Sequence, residues 1–141
     1  MTPYYIDEKA DITLYCGDCR DVLPTLGPVD LVLTDPQYGI SQPGVVNCGD
    51  PVKGTRSFGF FENDSPEEAT ELALSVWRLT LPLYSASASA YWWVGHQTFG
   101  KLVDAYTGAG WKTRFLVWSK ACPAPQPPGT GWPSAAELCI Y

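Results

Sequence analysis

The stretch VDLVLTDPQYG at residues 29–39 decides the fold prediction for this chain. Its centre, residues 31–33, is a short apolar run typical of a central parallel strand that is covered on both faces. Pro36 is expected to end this strand, because proline cannot donate a ladder hydrogen bond. In open α/β sheets, ligands bind in the crevice beyond the carboxyl ends of such strands. We therefore predict that Asp35 and Tyr38 are site residues.

The turn after this strand suits the binding of a planar amine. The Asp35 carboxylate and the Pro36 carbonyl offer two acceptors to an NH2 group, and the Tyr38 ring can lie flat on the base that carries it. An enzyme that acts on a nucleobase flipped out of a duplex needs such a grip. The alternative is an ordinary turn, in which Asp35 caps a backbone N–H and Tyr38 is a half-buried wall.

The surrounding residues 13–40, TLYCGDCRDVLPTLGPVDLVLTDPQYGI, resemble the amino-terminal block of the DNA amino-methyltransferases with the motif Asp-Pro-Pro-Tyr. The likeness is to the circularly permuted group, in which this motif comes first. In that family a strand ending in Gly-Asp, a short helix and the strand with the catalytic motif follow one another. The corresponding residues here are 17–18, 19–26 and 31–38. A weaker likeness continues in Trp118-Ser119-Lys120 and in the strand that contains Glu137.

The resemblance implies a site-specific DNA methyltransferase that transfers a methyl group from S-adenosylmethionine to the exocyclic N6 amine of adenine. It implies catalytic roles for Asp35, Pro36 and Tyr38, and cofactor binding by Asp18 and Cys19, with Asp18 on the adenosine. It also implies DNA binding and membership of a restriction-modification system. Cytosine N4 remains the alternative target, because serine is common at the first motif position in the cytosine enzymes but is not strictly required there.

Strand and helix signals alternate along the rest of the chain. The predicted elements are a helix over 65–83, a strand over 90–94, a helix over 99–106, and strands over 111–120 and 137–141. Such alternation predicts an α/β fold with a mostly parallel sheet and helices on both faces. Together with the resemblance, it predicts a truncated, Rossmann-like methyltransferase fold that depends on S-adenosylmethionine.

Residues 1–141 are interpreted as the catalytic part of one methyltransferase domain. A cofactor-binding α/β domain needs a glycine-rich turn from a strand into a helix, and the glycines at 108–110 instead follow a helix. In the permuted family that turn lies near the carboxyl terminus, beyond the position that corresponds to residue 141 here. The expected partners are DNA and either the missing carboxyl-terminal portion or a second chain. The rival hypothesis is a non-catalytic remnant or DNA-binding subunit that needs such a second chain.

Five further residues are expected to contact the substrate. Gln37 replaces the second proline of the family motif and should loosen the grip on the amine without removing an acceptor, and Gly39 follows in the same turn. Lys53 and Arg56 precede three phenylalanines, which predicts a cationic and aromatic loop that binds the DNA strand. The alternative is a surface loop whose phenylalanines pack into the core. His96 is expected either to contact the base or to cap the helix that follows.

Composition limits the other function classes. The net charge is −6, which opposes phosphate binding over the whole surface, so DNA contacts should be local. The apolar runs are far shorter than the roughly 20 residues of a membrane helix, and no signal peptide is evident, so a cytoplasmic location without membrane contact is expected.

The five cysteines do not suggest a disulfide framework. Cys16 and Cys19 leave a redox pair open, but one histidine is too few for a zinc site, and no metal is expected.

Overall fold

The computed structural model describes residues 2–40, 43–46, 56–60, 64–121 and 135–141, with backbone alone for 43–46 and 56–60. Its strands are β1 (Tyr5–Asp7), β2 (Ile12–Leu14), β3 (Val29–Thr34), β4 (Pro43–Val46), β5 (Arg56–Phe60), β6 (Tyr84–Val94), β7 (Phe115–Ser119) and β8 (Ala136–Ile140). Its α-helices are α1 (Cys19–Val22), α2 (Pro66–Thr80) and α3 (His96–Gly108). Single 3-10 turns follow α1 and α2, at Leu23–Thr25 and Leu81–Leu83.

Four strands form the main sheet, in the order β3-β6-β8-β7. Only the β3–β6 pair is parallel, whereas β8 runs antiparallel to both β6 and β7. The prediction of a mostly parallel, Rossmann-like sheet is therefore wrong. The sequence between β7 and β8 is rich in proline and carries no helical pattern. A connection whose sequence predicts no crossover helix can return the next strand antiparallel, which the parallel prediction did not take into account.

The two long helices pack on the same face of this sheet. Their shared core contains Ala73, Trp77, Ala90, Trp92, Val94, Leu102, Tyr106 and Ile140. The β6 members of this cluster alternate along the strand and so lie on one face. The prediction of helices on both faces is wrong for a topological reason. The chain moves in one direction across the sheet, from β3 to β6 and then to β7, and right-handed crossovers in one direction place their helices on one face.

The apolar run of β3 is less covered than the sequence predicts. Within the described residues, β3 is an edge strand whose one neighbour is β6. Val32 packs against the helical core, whereas Leu31 and Leu33 are 53% and 67% exposed. The prediction of a strand covered on both faces is wrong, because α2 and α3 cover the Val32 side and successive side chains of a strand point to opposite faces.

The helix predicted after Ser65 is confirmed as α2. The Ser65 hydroxyl accepts a hydrogen bond from the Glu68 N–H at 3.2 Å, and the Glu68 carboxylate accepts one from the Ser65 N–H at 3.4 Å. This reciprocal capping box, with Pro66 in the first turn, fixes where the helix begins. The strand that follows, β6, begins earlier than predicted, because it includes an alternation of small serine and alanine residues with a weak hydrophobic signal.

Two small antiparallel sheets complete the described structure. β1 pairs with β2 across a turn in which Asp7 Oδ1 accepts hydrogen bonds from the backbone N–H groups of Lys9 and Ala10. β4 pairs with β5, within a segment for which the sequence predicts a loop. None of the helices in the described ranges is long and apolar enough to cross a membrane.

Candidate functional site

The predicted turn begins where the parallel pair of strands ends. Thr34, the last residue of β3, lies opposite Trp92 of β6, and β6 itself ends at Val94. Residues 35–40 leave β3 without regular secondary structure. Asp35 and Tyr38 therefore stand beyond the carboxyl ends of two adjacent parallel strands, as the sequence predicts. This is the place where open α/β sheets bind ligands.

The amino end of α2 holds this turn from one side. Gly39 has a φ of +69°, and its N–H donates a hydrogen bond of 3.0 Å to the carboxylate of buried Asp64. A Cβ at Gly39 would lie 2.8 Å from the Pro66 Cα. Glycine alone satisfies both the left-handed backbone and the close approach. Gly39, a predicted substrate contact, is thus buried against α2 and supports the turn.

The amino end of α3 holds the turn from a second side. Gly95 caps α3, and a Cβ at this residue would lie 2.2 Å from the carbonyl oxygen of Tyr38. Two helix starts therefore fix the backbone of the turn. His96 is the first residue inside α3 and its side chain is exposed. The alternative that His96 caps this helix is wrong, because the cap residue is Gly95.

The Tyr38 hydroxyl faces two carboxylates. It donates to Glu137 Oε2 at 3.4 Å, and the other oxygen of Glu137 forms an ion pair with Lys120. Burial, together with hydrogen bonding to Asp35 and the negative charges of Asp35 and Glu137, raises the pKa of Tyr38 well above its ordinary value. Tyr38 is consequently a neutral phenol at physiological pH, with its ring half-buried.

An open cavity of about 550 Å³ lies over this turn. It is lined by Asp35, Pro36, Gln37, Tyr38, Ile40, Asp64 and Glu137. Its size is within the usual range of about 300–1,000 Å³ for small-molecule sites. Three carboxylates line it, so the cavity favours a neutral or cationic group that donates hydrogen bonds and disfavours a phosphate. An exocyclic NH2 group has this donor character.

Asp18 and Cys19 do not line this cavity. Asp18 caps α1, and both of its carboxylate oxygens accept hydrogen bonds from the Arg20 guanidinium. These side-chain bonds, with the Arg20 N–H, lower the pKa of Asp18 to about 2. Partial burial, reinforced by the charge of Asp18, raises the pKa of the Cys19 thiol. A redox Cys-x-x-Cys pair requires the opposite shift, and Cys16 and Cys19 are both unbridged.

The remaining predicted contacts lie outside the cavity or outside the described residues. His96 is exposed at the start of α3. Lys53 lies outside the described residues, and so does the side chain of Arg56, although its backbone begins β5. The described part of the chain contains no cluster of three or more potential metal ligands.

Sequence reasoning did not select Asp64 or Glu137 as site residues. Asp64 directly precedes the capping serine of α2, and such an acid is expected to serve the helix. Glu137 is the one carboxylate in an otherwise apolar strand, AELCI, and that contrast was the available signal. Both residues reach the site through the tertiary fold.

No family model matches this chain, and no curated protein sequence matches it.

Proposed function

We propose that this chain is the catalytic part of a site-specific DNA methyltransferase that transfers a methyl group from S-adenosylmethionine to the N6 amine of adenine. One observation carries the proposal: the Asp35-Pro36 acceptors and the Tyr38 ring line a single open cavity beyond β3 and β6. A carboxylate, a carbonyl and an aromatic ring are the groups that hold and stack a flipped base with an exocyclic amine.

In the proposed reaction, the residues of the turn align the target amine. Asp35 and the Pro36 carbonyl accept its two hydrogens, which turns the nitrogen lone pair away from them and toward the incoming methyl group. The nitrogen must lose one proton as the new N–C bond forms, and Asp35 is the candidate to receive it. The Tyr38 ring stacks on the base. The contribution of the protein is mainly orientation, which can account for a large part of a rate enhancement.

The cofactor residues proposed from the sequence are Asp18 and Cys19. S-adenosylmethionine, when bound, would supply the methyl group on a cationic sulfonium, and the acidic cavity is compatible with a cation nearby. Asp18 would accept hydrogen bonds from hydroxyl groups of the adenosine. Its present partner is Arg20, in an ion pair whose two side chains are 40% and 50% exposed. An exposed pair of this kind contributes little to stability, so a ligand can replace Arg20 at low cost.

The proposed partner is duplex DNA, from which the adenine is flipped. A net charge of −6 leaves little scope for broad phosphate contacts, so DNA binding should depend on a small part of the surface. We also propose a cytoplasmic location, where such a substrate is found. Cytosine N4 is the alternative target, because its amine offers the same two hydrogens to Asp35 and Pro36.

A second candidate function is that of a binding subunit that acts together with another chain. The observation that favours it is the described edge of the sheet at β3. Leu31 and Leu33 are exposed there, although apolar parallel strands are normally covered on both faces. An uncovered apolar face of this kind favours packing against an element of another chain.

Product analysis and base binding test these two functions. The full chain is incubated with S-adenosylmethionine and unmethylated duplex DNA, and the digested nucleosides are identified by mass spectrometry. N6-methyldeoxyadenosine is the product expected when the portion or second chain that carries the glycine-rich cofactor turn is also present, and N4-methyldeoxycytidine would favour the alternative target. In parallel, NMR titrations compare adenosine with purine riboside, which lacks the amine. Stronger adenosine binding without methylation supports the binding subunit. Absence of both methylation and amine discrimination would contradict both functions.

A further inference from the structure

Glu137 connects three parts of the chain at the edge of the candidate site. It lies in β8, opposite Trp118 of β7, and Lys120 follows directly after β7. The Lys120 ammonium pairs with Glu137 Oε1, while Glu137 Oε2 faces the Tyr38 hydroxyl. The two oxygens of one carboxylate therefore have different partners, one cationic and one phenolic.

We propose that Glu137, held in place by Lys120, is a positioning residue that fixes the plane of the Tyr38 ring for stacking on an aromatic ligand. The inference rests on the proposed function in so far as that ligand is the target base. It goes further by assigning roles to two residues that do not act on the reacting amine: Glu137, which contacts the Tyr38 hydroxyl, and Lys120, which contacts Glu137.

The ring of Tyr38 needs an anchor at its outer end. Its backbone is held by the close contact with Gly95 and, one residue later, by the Gly39 hydrogen bond to Asp64. These contacts leave rotation about the two side-chain torsions unconstrained. A partner for the hydroxyl, at the far end of the ring, fixes the first torsion. Because a phenol O–H lies in the plane of its ring, the direction of the hydrogen bond to Glu137 also favours one ring plane. The entropy of ordering the ring is then lost on folding and not on ligand binding.

The ion pair explains how a carboxylate is kept at this position. Glu137 and Lys120 are both largely buried, with side chains 21% and 28% exposed. A carboxylate removed from water is costly unless a cation or hydrogen bonds compensate it. Lys120 supplies the cation and leaves one oxygen directed at Tyr38. The phenol contact of 3.4 Å exceeds the usual O–H···O range of about 2.5–3.0 Å, and contacts in unliganded sites often shorten when the ligand binds.

Three variants test this assignment in the full chain. Glu137→Gln removes the charge but keeps the shape, Lys120→Met removes the cation, and Tyr38→Phe removes the hydroxyl but keeps the ring. Asp30→Asn is the matched control, since Asp30 is a carboxylate bonded to Ser85 at the opposite end of β3. The first readout is the ¹³Cζ resonance of Tyr38, followed by NMR from neutral pH to the highest pH at which the chain stays folded, so that the onset of phenol ionisation is compared between variants.

We expect the pKa of Tyr38 to fall in Glu137→Gln, because one of the two negative charges beside the phenol is removed, but to stay above its ordinary value, because burial and Asp35 remain. In Asp30→Asn it should stay unchanged. Adenosine binding should also order the ring less in Glu137→Gln and in Tyr38→Phe, with broader ring resonances in the complex. If the enzyme is active, kcat should fall on the order of 10–100-fold in both variants with a smaller change in KM, as expected for misalignment.

The two proposals fail in different ways. An unchanged Tyr38 titration and unchanged ring resonances in Glu137→Gln overturn the positioning role, whether or not the chain methylates DNA. A wild-type chain that neither methylates DNA nor distinguishes adenosine from purine riboside overturns the proposed function, while a shifted titration in Glu137→Gln still supports the anchor. If Glu137→Gln does not fold, Tyr38→Phe decides: ring resonances in its adenosine complex as sharp as those of wild type overturn the positioning role.

Discussion

Replacing Gly95 by alanine tests whether α3 holds the predicted site turn. The added Cβ would lie 2.2 Å from the Tyr38 carbonyl oxygen and 3.2 Å from its Cα. Real Cβ atoms essentially never approach closer than 3.0 Å, so the backbone of the turn or of α3 must move by about 0.8 Å. Such overpacking costs about 1–3 kcal/mol. Reduced freedom of the unfolded chain returns about 0.4–1 kcal/mol, so a net destabilisation of up to about 2.6 kcal/mol, centred on about 1.3 kcal/mol, is expected.

Gly100→Ala provides the matched control on the same helix. A Cβ at Gly100 meets nothing within 4 Å, so alanine should stabilise α3 by about 0.5–1 kcal/mol. Urea denaturation followed by tryptophan fluorescence measures both variants. We also expect Gly95→Ala to weaken adenosine binding, because Tyr38 is displaced, and Gly100→Ala to leave it unchanged. If Gly95→Ala were as stable as Gly100→Ala, the contact between the turn and α3 would be refuted.

Three other substitutions address the site and its surroundings. Asp64→Ala should cost about 1–3 kcal/mol by leaving the Gly39 N–H without its acceptor, whereas Asp64→Asn keeps an acceptor oxygen and should cost less in the same denaturation assay. In the enzyme completed with its glycine-rich cofactor turn, Asp35→Ala should lower the methyl-transfer rate on the order of 100-fold or more with cofactor binding nearly unchanged; an equal loss of cofactor binding in calorimetry would instead assign Asp35 to the cofactor. Because the folded pKa of Asp18 is depressed to about 2, its contribution to stability is present above its unfolded pKa and is lost as the pH falls toward 2. In Arg20→Gln the NMR-titrated pKa of Asp18 should rise toward its ordinary value, and no change would refute the role of the guanidinium.

The sequence alone predicts the local elements well where their signals are short-range. The start of α2 follows from Ser65, Pro66 and Glu68, which interact within one helical turn. The end of β3 and the turn that carries Asp35 follow equally from an apolar run and a proline. Four of the predicted site residues line one cavity for the same reason, since consecutive residues of one turn cannot separate far.

The arrangement of the sheet is not a local property. The direction of β8 and the location of both long helices on one face depend on strand order and on crossover handedness. Composition could not distinguish the edge position of β3 from a central one, because its apolar run is the same in either place. The exposure of Leu31 and Leu33 is therefore a result of the tertiary structure alone.

The pattern within residues 29–39 encodes the turn at Asp35 and Tyr38, whereas the residues that surround this turn are brought there by the tertiary fold. Tyr38 and Glu137 are 99 residues apart in the chain, yet their side chains meet. Their contact depends on the packing of α3 against the turn and on the pairing of β8 with β6 and β7. A pattern within a few residues encodes a strand end or a helix cap, whereas a contact between distant residues is set only when the sheet has assembled around its core.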